Sequence, residues 1–140
     1  MKTILALIPI LIFATLSFAN NIEDVYKEQW NKYTMDKTII TESLKTCEDS
    51  MNRFSRFALD RRRIHDMPEN VAIQGMITMM QLAVASSNKA LHGTREDATM
   101  QDINDDMQLM KKRSMDIDDK LFDLKIKITK EFGSVPEWCK

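Results

Sequence analysis

The sequence predicts an all-α protein, a bundle of three to four helices whose long first and last helices carry heptad patterns. Apolar residues recur at alternating steps of four and three over more than thirty residues near the start of the chain, and again near its end. Steps of this kind place side chains on one stripe of an α-helix, which packs against other helices. Only three glycines and three prolines occur in 140 residues, which leaves few points where a helix must end.

The first segment, residues 1–19, has the pattern of a signal peptide. A basic residue, Lys2, precedes an apolar run over residues 4–13, and the small residues Ser17 and Ala19 occupy the positions expected before a cleavage site. A retained membrane anchor is the alternative, but the apolar run is short for a span of about 20 residues. We therefore expect a secreted or periplasmic protein in which residues 20–140 form a single helical-bundle domain.

Charge and cysteine content narrow the class of protein. Residues 1–19 contain one of the 20 basic residues and none of the 21 acidic ones, so the remainder carries a net charge of −2. A nucleic-acid-binding protein usually carries a basic footprint, and we expect no nucleic-acid partner. The two cysteines, Cys47 and Cys139, lie outside any CxxC motif. In an oxidising compartment an even pair of this kind predicts a disulfide rather than a metal site.

The first helix is predicted from about residue 22 to residue 65. No glycine or proline occurs between Asn20 and Met67, and Pro68 then disfavours helical geometry at the residue before it. One stripe of this helix carries the heptad positions Tyr26, Trp30, Tyr33, Lys37, Ile40, Leu44, Cys47, Met51, Phe54 and Ala58.

The second helix is predicted from Pro68 to His92, and no charged residue occurs from Asn70 through Asn88. Its polar residues share one narrow stripe, and the rest of the surface is apolar. A transmembrane span is the alternative reading, but a stripe of amides argues against it. We expect a central helix that neighbouring helices cover on most sides.

The third helix is predicted to follow Gly93, a natural residue for the end of the second helix. Thr94 and Asp97 have the spacing of a capping box that would begin this helix, and Gly133 would close it. Its heptad positions are Met100, Ile103, Met107, Met110, Ser114, Ile117, Leu121, Leu124 and Ile128.

The predicted disulfide conflicts with straight helices. In an up-down-up bundle the third helix runs parallel to the first, which places Cys139 tens of ångströms from Cys47, whereas a disulfide needs Cα atoms within about 7 Å. A bond within one chain requires a long helix to turn back, either near residues 46–50 or near Ser114. The second choice gives four helices. A bridge between two chains and two free thiols are the alternatives.

No arrangement in the sequence indicates catalysis. His65 and His92 are the only imidazoles and lie at opposite ends of the second helix. Neither a nucleophile motif nor a glycine-rich phosphate loop occurs, so we expect a non-enzyme without cofactor. Met76, Met79 and Met80 could bind Cu(I), but methionine more often fills cores or lines adaptable grooves. We expect no metal site.

Aromatic residues near both ends and an arginine cluster indicate a binding function, because Trp, Tyr and Arg are the favoured anchors of protein interfaces. We expect a protein-binding module acting on another secreted or envelope protein, as adaptor, inhibitor or chaperone-like factor. The long heptad stripes of the first and third helices would also allow a homodimer. The alternative is a carrier or sensor of an apolar or anionic ligand that uses the Met-rich second helix and the arginines. The arginine cluster could also contact an anionic surface. The candidate residues are Trp30, Tyr33, Arg53, Arg56, Arg61, Arg62, Arg63 and Trp138.

Overall fold

The computed structural model describes the backbone of residues 7–63 and 68–140 and the side chains of residues 21–59 and 68–140. These residues form helices and no strands, which confirms the all-α class. The elements are α1 (Leu7–Arg63), α2 (Glu69–Leu91), α3 (Met100–Phe132) and a 3₁₀ turn (Glu137–Cys139). The side chains of the predicted signal peptide lie outside the described residues, and export therefore stays a prediction.

Both long helices are continuous. α1 shows no break at residues 46–50, and α3 runs through Ser114 without interruption, so the predicted turn-back of a long helix is wrong. Within the part of the chain that the structure describes, no helix is long and apolar enough to cross a membrane.

The chain divides into two compact units. The terminal unit contains Met1–Thr34 and Lys120–Lys140, and the central unit contains Met35–Asp119. Both α1 and α3 contribute residues to each unit. The single domain expected over residues 20–140 stays a prediction.

In the central unit, α1 runs antiparallel to both other helices. The Cys47 thiol donates a hydrogen bond to the Ala83 carbonyl of α2 at 3.4 Å, while further along α1 the Phe57 ring lies beside Gly75, earlier in α2. Later residues of α1 thus meet earlier residues of α2. The same order holds for α3, because Lys37 pairs with Asp118 and Glu48 pairs with Lys111 at 3.2 Å.

The third helix therefore runs antiparallel to α1 in this unit, unlike the third helix of a plain up-down-up bundle. Since α2 and α3 both oppose α1, they run in the same direction. The connector, residues 92–99, must return along α2 before α3 begins. Eight extended residues can cover about 26–29 Å, enough for most of the length of α2.

Packing of α2 differs from the expectation of a helix covered on most sides. Its buried residues are small: Ala72, Ala83, Val84, Ser87 and Ala90. Bulkier apolar residues of the same helix, among them Ile73, Ile77 and Leu82, are exposed. The alanines let α2 approach its neighbours closely, close enough for the Cys47 thiol to reach a backbone carbonyl. The larger apolar side chains of α2 therefore lie outside its contact with the neighbouring helices and are exposed to solvent.

The end of α2 and the start of α3 lie at other residues than those predicted from the sequence. His92, and not Gly93, adopts the left-handed conformation after α2, with φ of 57°. The predicted capping box at Thr94 is also wrong, because that residue lies in the connector. Thr99 caps α3 instead: its amide donates to Asp102 at 2.8 Å, and the Asp102 amide donates back to the Thr99 hydroxyl at 3.2 Å. The hydroxyl of Thr99 also lowers the pKa of the Asp102 carboxyl.

The terminal unit closes around an aromatic cluster. Leu124, Ile128 and Cys139 are buried there, and Tyr26 meets Phe132 edge-on with ring centroids 6.1 Å apart. Gly133 ends α3 with φ of 74°, as its position in the sequence predicts, and lets the chain turn towards the 3₁₀ segment. The partly buried residues packed on this cluster are Tyr26, Trp30, Tyr33, Phe132, Val135 and Trp138.

Candidate functional site

The central unit carries an open groove along α2, which we call the α2 groove. It has a volume of about 440 Å³. α2 supplies most of its surface, α1 supplies one aromatic ring, and the connector supplies one edge. The lining residues are Phe54, Ile73, Met76, Ile77, Met80, Gln81, Val84, Glu96, Asp97 and Ala98.

The apolar part of the α2 groove follows from the helical repeat. Ile73, Ile77, Met80 and Val84 recur at steps of three and four, so they share one side of α2. Val84 at the end of this stripe is buried, so its accessible part runs from Ile73 to Met80, about 10 Å or two helical turns. Methionine side chains are flexible and polarizable, and surfaces lined by them adapt to differently shaped apolar partners.

A hydrogen-bonded network holds the connector beside α2. The side-chain Nδ2 of Asn88 donates to the Arg95 carbonyl at 2.6 Å, and its Oδ1 accepts from the Arg95 backbone amide at 3.2 Å. The Arg95 guanidinium then contacts Asp106 of α3 at 3.1 Å, and the same Asp106 oxygen accepts the Ser87 hydroxyl. This network positions residues 96–98 as one wall of the groove.

The connector wall is acidic. Glu96 and Asp97 are exposed and line the α2 groove. Within the described residues neither carboxylate forms an ion pair. Both therefore remain available to basic groups of a molecule bound in the groove. An apolar stripe beside two carboxylates favours a ligand whose apolar face is bordered by basic groups.

The two cysteines are free thiols, each buried in its own unit, and the predicted bridge between them is not formed. Burial raises the pKa of Cys47 from 9.0 to about 11, and the carboxylates of Asp106 and Glu48 add to the rise. Burial also raises the pKa of Cys139. These raised pKa values keep both thiols protonated near neutral pH and make the sulfurs poor nucleophiles.

The arginine candidates are only partly described. Arg53 and Arg56 are exposed on α1, on either side of Phe54 in the sequence. The side chains of Arg61, Arg62 and Arg63 lie outside the described residues, so the proposed five-residue patch stays a prediction.

The aromatic candidates have structural contacts in the terminal unit. Trp30 and Tyr33 pack against its buried cluster, and Lys120 lies 5.9 Å from the Tyr33 ring centroid. The Trp138 indole donates to Glu23 at 3.2 Å. These contacts account for the aromatic rings as parts of the fold, and the structure does not bring them together with the α2 groove in one unit.

The sequence-based reasoning missed most of the α2 groove. The methionines were named, but Ile73 and Ile77 were expected in a covered helix, Asp97 was expected in a helix cap, and Glu96 had no binding role. A usable signal was the spacing of the small residues of α2, which marks the buried face and leaves the bulky stripe outside.

Comparison with known proteins finds no matching family, no matching curated protein and no matching solved structure. Among the described residues, no group of three or more His, Cys, Asp or Glu side chains is arranged to hold a metal ion. Functional inference therefore rests on the geometry and charge of the α2 groove.

Proposed function

We propose that this protein is an exported, non-catalytic binding module that acts on another secreted or envelope protein, as an adaptor, inhibitor or chaperone-like factor. In this proposal the heptad-patterned first and last helices form the scaffold, and the α2 groove receives an apolar segment of the partner. The observation that carries the proposal is the exposure of Ile73 and Ile77 on one side of α2, beside the half-buried Met76 and Met80.

The dimensions of the groove support a helical partner segment. About two turns of α2 are accessible, from Ile73 to Met80, which matches the contact length of a short amphipathic helix that presents residues at i, i+3, i+4 and i+7. Met76 and Met80 give the surface the adaptability seen in grooves that accept different helices. The adjacent Glu96 and Asp97 favour a segment with Lys or Arg next to its apolar face.

The alternative function is a carrier or sensor of a small apolar or anionic ligand. A groove volume of about 440 Å³ lies within the usual range for small-molecule sites, and Arg53 and Arg56 would supply positive charge for an anionic head group. The solvent exposure of the stripe along about two turns, from Ile73 to Met80, favours a protein segment over an enclosed small molecule.

Site-specific photo-crosslinking in the host organism tests the protein-binding proposal. A photoreactive residue at Ile77, which is 44% exposed and lines the groove, should form a discrete adduct with one exported protein. Leu82 is the matched control, because it lies on the same helix, is 45% exposed and does not line the groove. Equal adducts at both positions, or none at Ile77, would contradict the proposal.

A further inference from the structure

The terminal unit carries a second exposed apolar surface, the apolar ridge, formed by Phe122 and Ile126 of α3. Phe122 is 66% exposed, unusual for a phenylalanine on a folded helix. The ridge borders a shallow depression of about 380 Å³ that Val135 also lines.

Two lysines flank the apolar ridge. Phe122 and Ile126 lie one helical turn apart, and the helical repeat places Lys125 on one side of them and Lys130 on the other. Both lysines line the same depression and are exposed. Among the described residues neither lysine forms an ion pair, so the ridge is an apolar helical segment with basic borders.

These features complement the α2 groove in apolar character and charge. The groove presents an apolar stripe and the carboxylates of Glu96 and Asp97, whereas the ridge presents an exposed aromatic ring and two ammonium groups. Among the described residues none of these four charged groups forms an ion pair. Bringing them together covers apolar surface on both sides and pairs opposite charges at the border. The chain thus contains a segment of the chemistry that its own groove favours.

We propose that the apolar ridge of one copy docks into the α2 groove of a second copy, with Lys125 and Lys130 facing Glu96 and Asp97. This inference rests on the proposed function, because it names an occupant for the same groove. The contact joins two different surfaces and is therefore heterologous, so one copy can both donate a ridge and accept one. Self-association then competes with the partner protein and keeps the apolar groove covered when the partner is absent.

Sedimentation velocity of the protein as recovered from its host, over a range of concentrations, tests the proposal. Wild-type protein should show concentration-dependent association. Phe122→Glu should weaken that association at least about tenfold, as for removal of an interface hot spot. Met35→Glu is the control, because Met35 is 65% exposed on α1 and borders neither surface, and it should leave association unchanged.

Charge reversal tests the pairing itself. Lys125→Glu with Lys130→Glu should abolish association, and so should Glu96→Lys with Asp97→Lys. All four substitutions in one chain should restore it, because opposite charges face each other again. Failure of this rescue would overturn the proposed pairing.

Three other results would also overturn the inference: wild-type protein that stays monomeric, equal association of the Phe122→Glu and Met35→Glu variants, or a ridge that binds phosphatidylglycerol vesicles without self-association. The proposed function has a separate readout. A monomeric protein that still crosslinks to a partner through Ile77 would refute self-association alone, whereas loss of both signals would refute both proposals.

Discussion

The guanidinium of Arg95 lies 3.1 Å from a carboxylate oxygen of Asp106, and this contact ties the connector to α3. Ser87 of α2 donates to the same oxygen. One carboxylate thus joins α2, the connector and α3. The acidic wall of the α2 groove depends on this junction.

Replacing Asp106 with Asn removes the charge that Arg95 contacts while keeping an acceptor for Ser87. We expect the free energy of unfolding to fall by about 1 kcal/mol, because the pair is only partly shielded from solvent. Amide hydrogen exchange in residues 94–98 should become faster. Asp105→Asn is the control, because Asp105 is exposed and, among the described residues, accepts from Gln101 on its own helix at 2.8 Å without contacting the connector. Equal exchange in both variants would show that the Arg95 contact does not hold the connector.

Substitutions of Thr99 and Thr94 test which of these two residues caps the start of α3. Thr99→Ala removes the hydroxyl that satisfies the Asp102 amide and should lower the free energy of unfolding by about 1 kcal/mol. Thr94→Ala, in the connector, should change it by less than about 0.5 kcal/mol. Urea unfolding of the two variants measures the difference, and a larger loss at Thr94 would restore the helix start predicted from the sequence.

The Cys47 thiol makes stability depend on pH in the reduced protein. Its pKa is raised by burial to about 11 from 9.0, so folding favours the neutral thiol. This contribution is fully present below pH 9 and is lost as the pH rises from about 9 to 11, with a maximum near 3 kcal/mol. Urea unfolding at pH 8 and pH 10.5 should therefore show a larger loss for wild type than for Cys47→Ala. Parallel losses would mean that the thiol ionises equally well in the folded state.

The buried thiols also predict how the protein reacts with a thiol reagent. Native protein recovered from its host without reductant should react slowly with Ellman's reagent, because both sulfurs are buried. After unfolding in urea, two thiols per chain should react. No reactive thiol after unfolding would demonstrate a disulfide and contradict the free cysteines of this structure.

Local periodicity explains which features could be read from the sequence. The ten heptad positions expected on α1 are all buried or half-buried, whereas Met100, the first heptad position expected on α3, is exposed. Gly133 likewise ends α3 because few other residues tolerate a left-handed backbone conformation.

Tertiary contacts explain what the sequence did not reveal. The direction of α3 depends on the return of the connector, which the contact between Arg95 and Asp106 fixes across eleven residues. The exposure of Ile73 and Ile77 depends on how closely α2 approaches its neighbours through its alanines. The direction of α3 has no local signal, whereas the spacing of the small residues indicates the buried face of α2. The α2 groove depends on both features.

Binding of a synthetic amphipathic helix tests the central claim, that the α2 groove docks an apolar helical segment with basic borders. The probe is a fluorescent peptide of about 14 residues with leucines on one face and lysines beside them, measured by anisotropy. Wild type and Leu82→Glu should bind it equally, and Ile77→Glu should bind at least about tenfold more weakly. A peptide with glutamates in place of the lysines should also bind more weakly to wild type. Equal affinity of the Ile77→Glu and Leu82→Glu variants, or no binding by wild type, would contradict the claim.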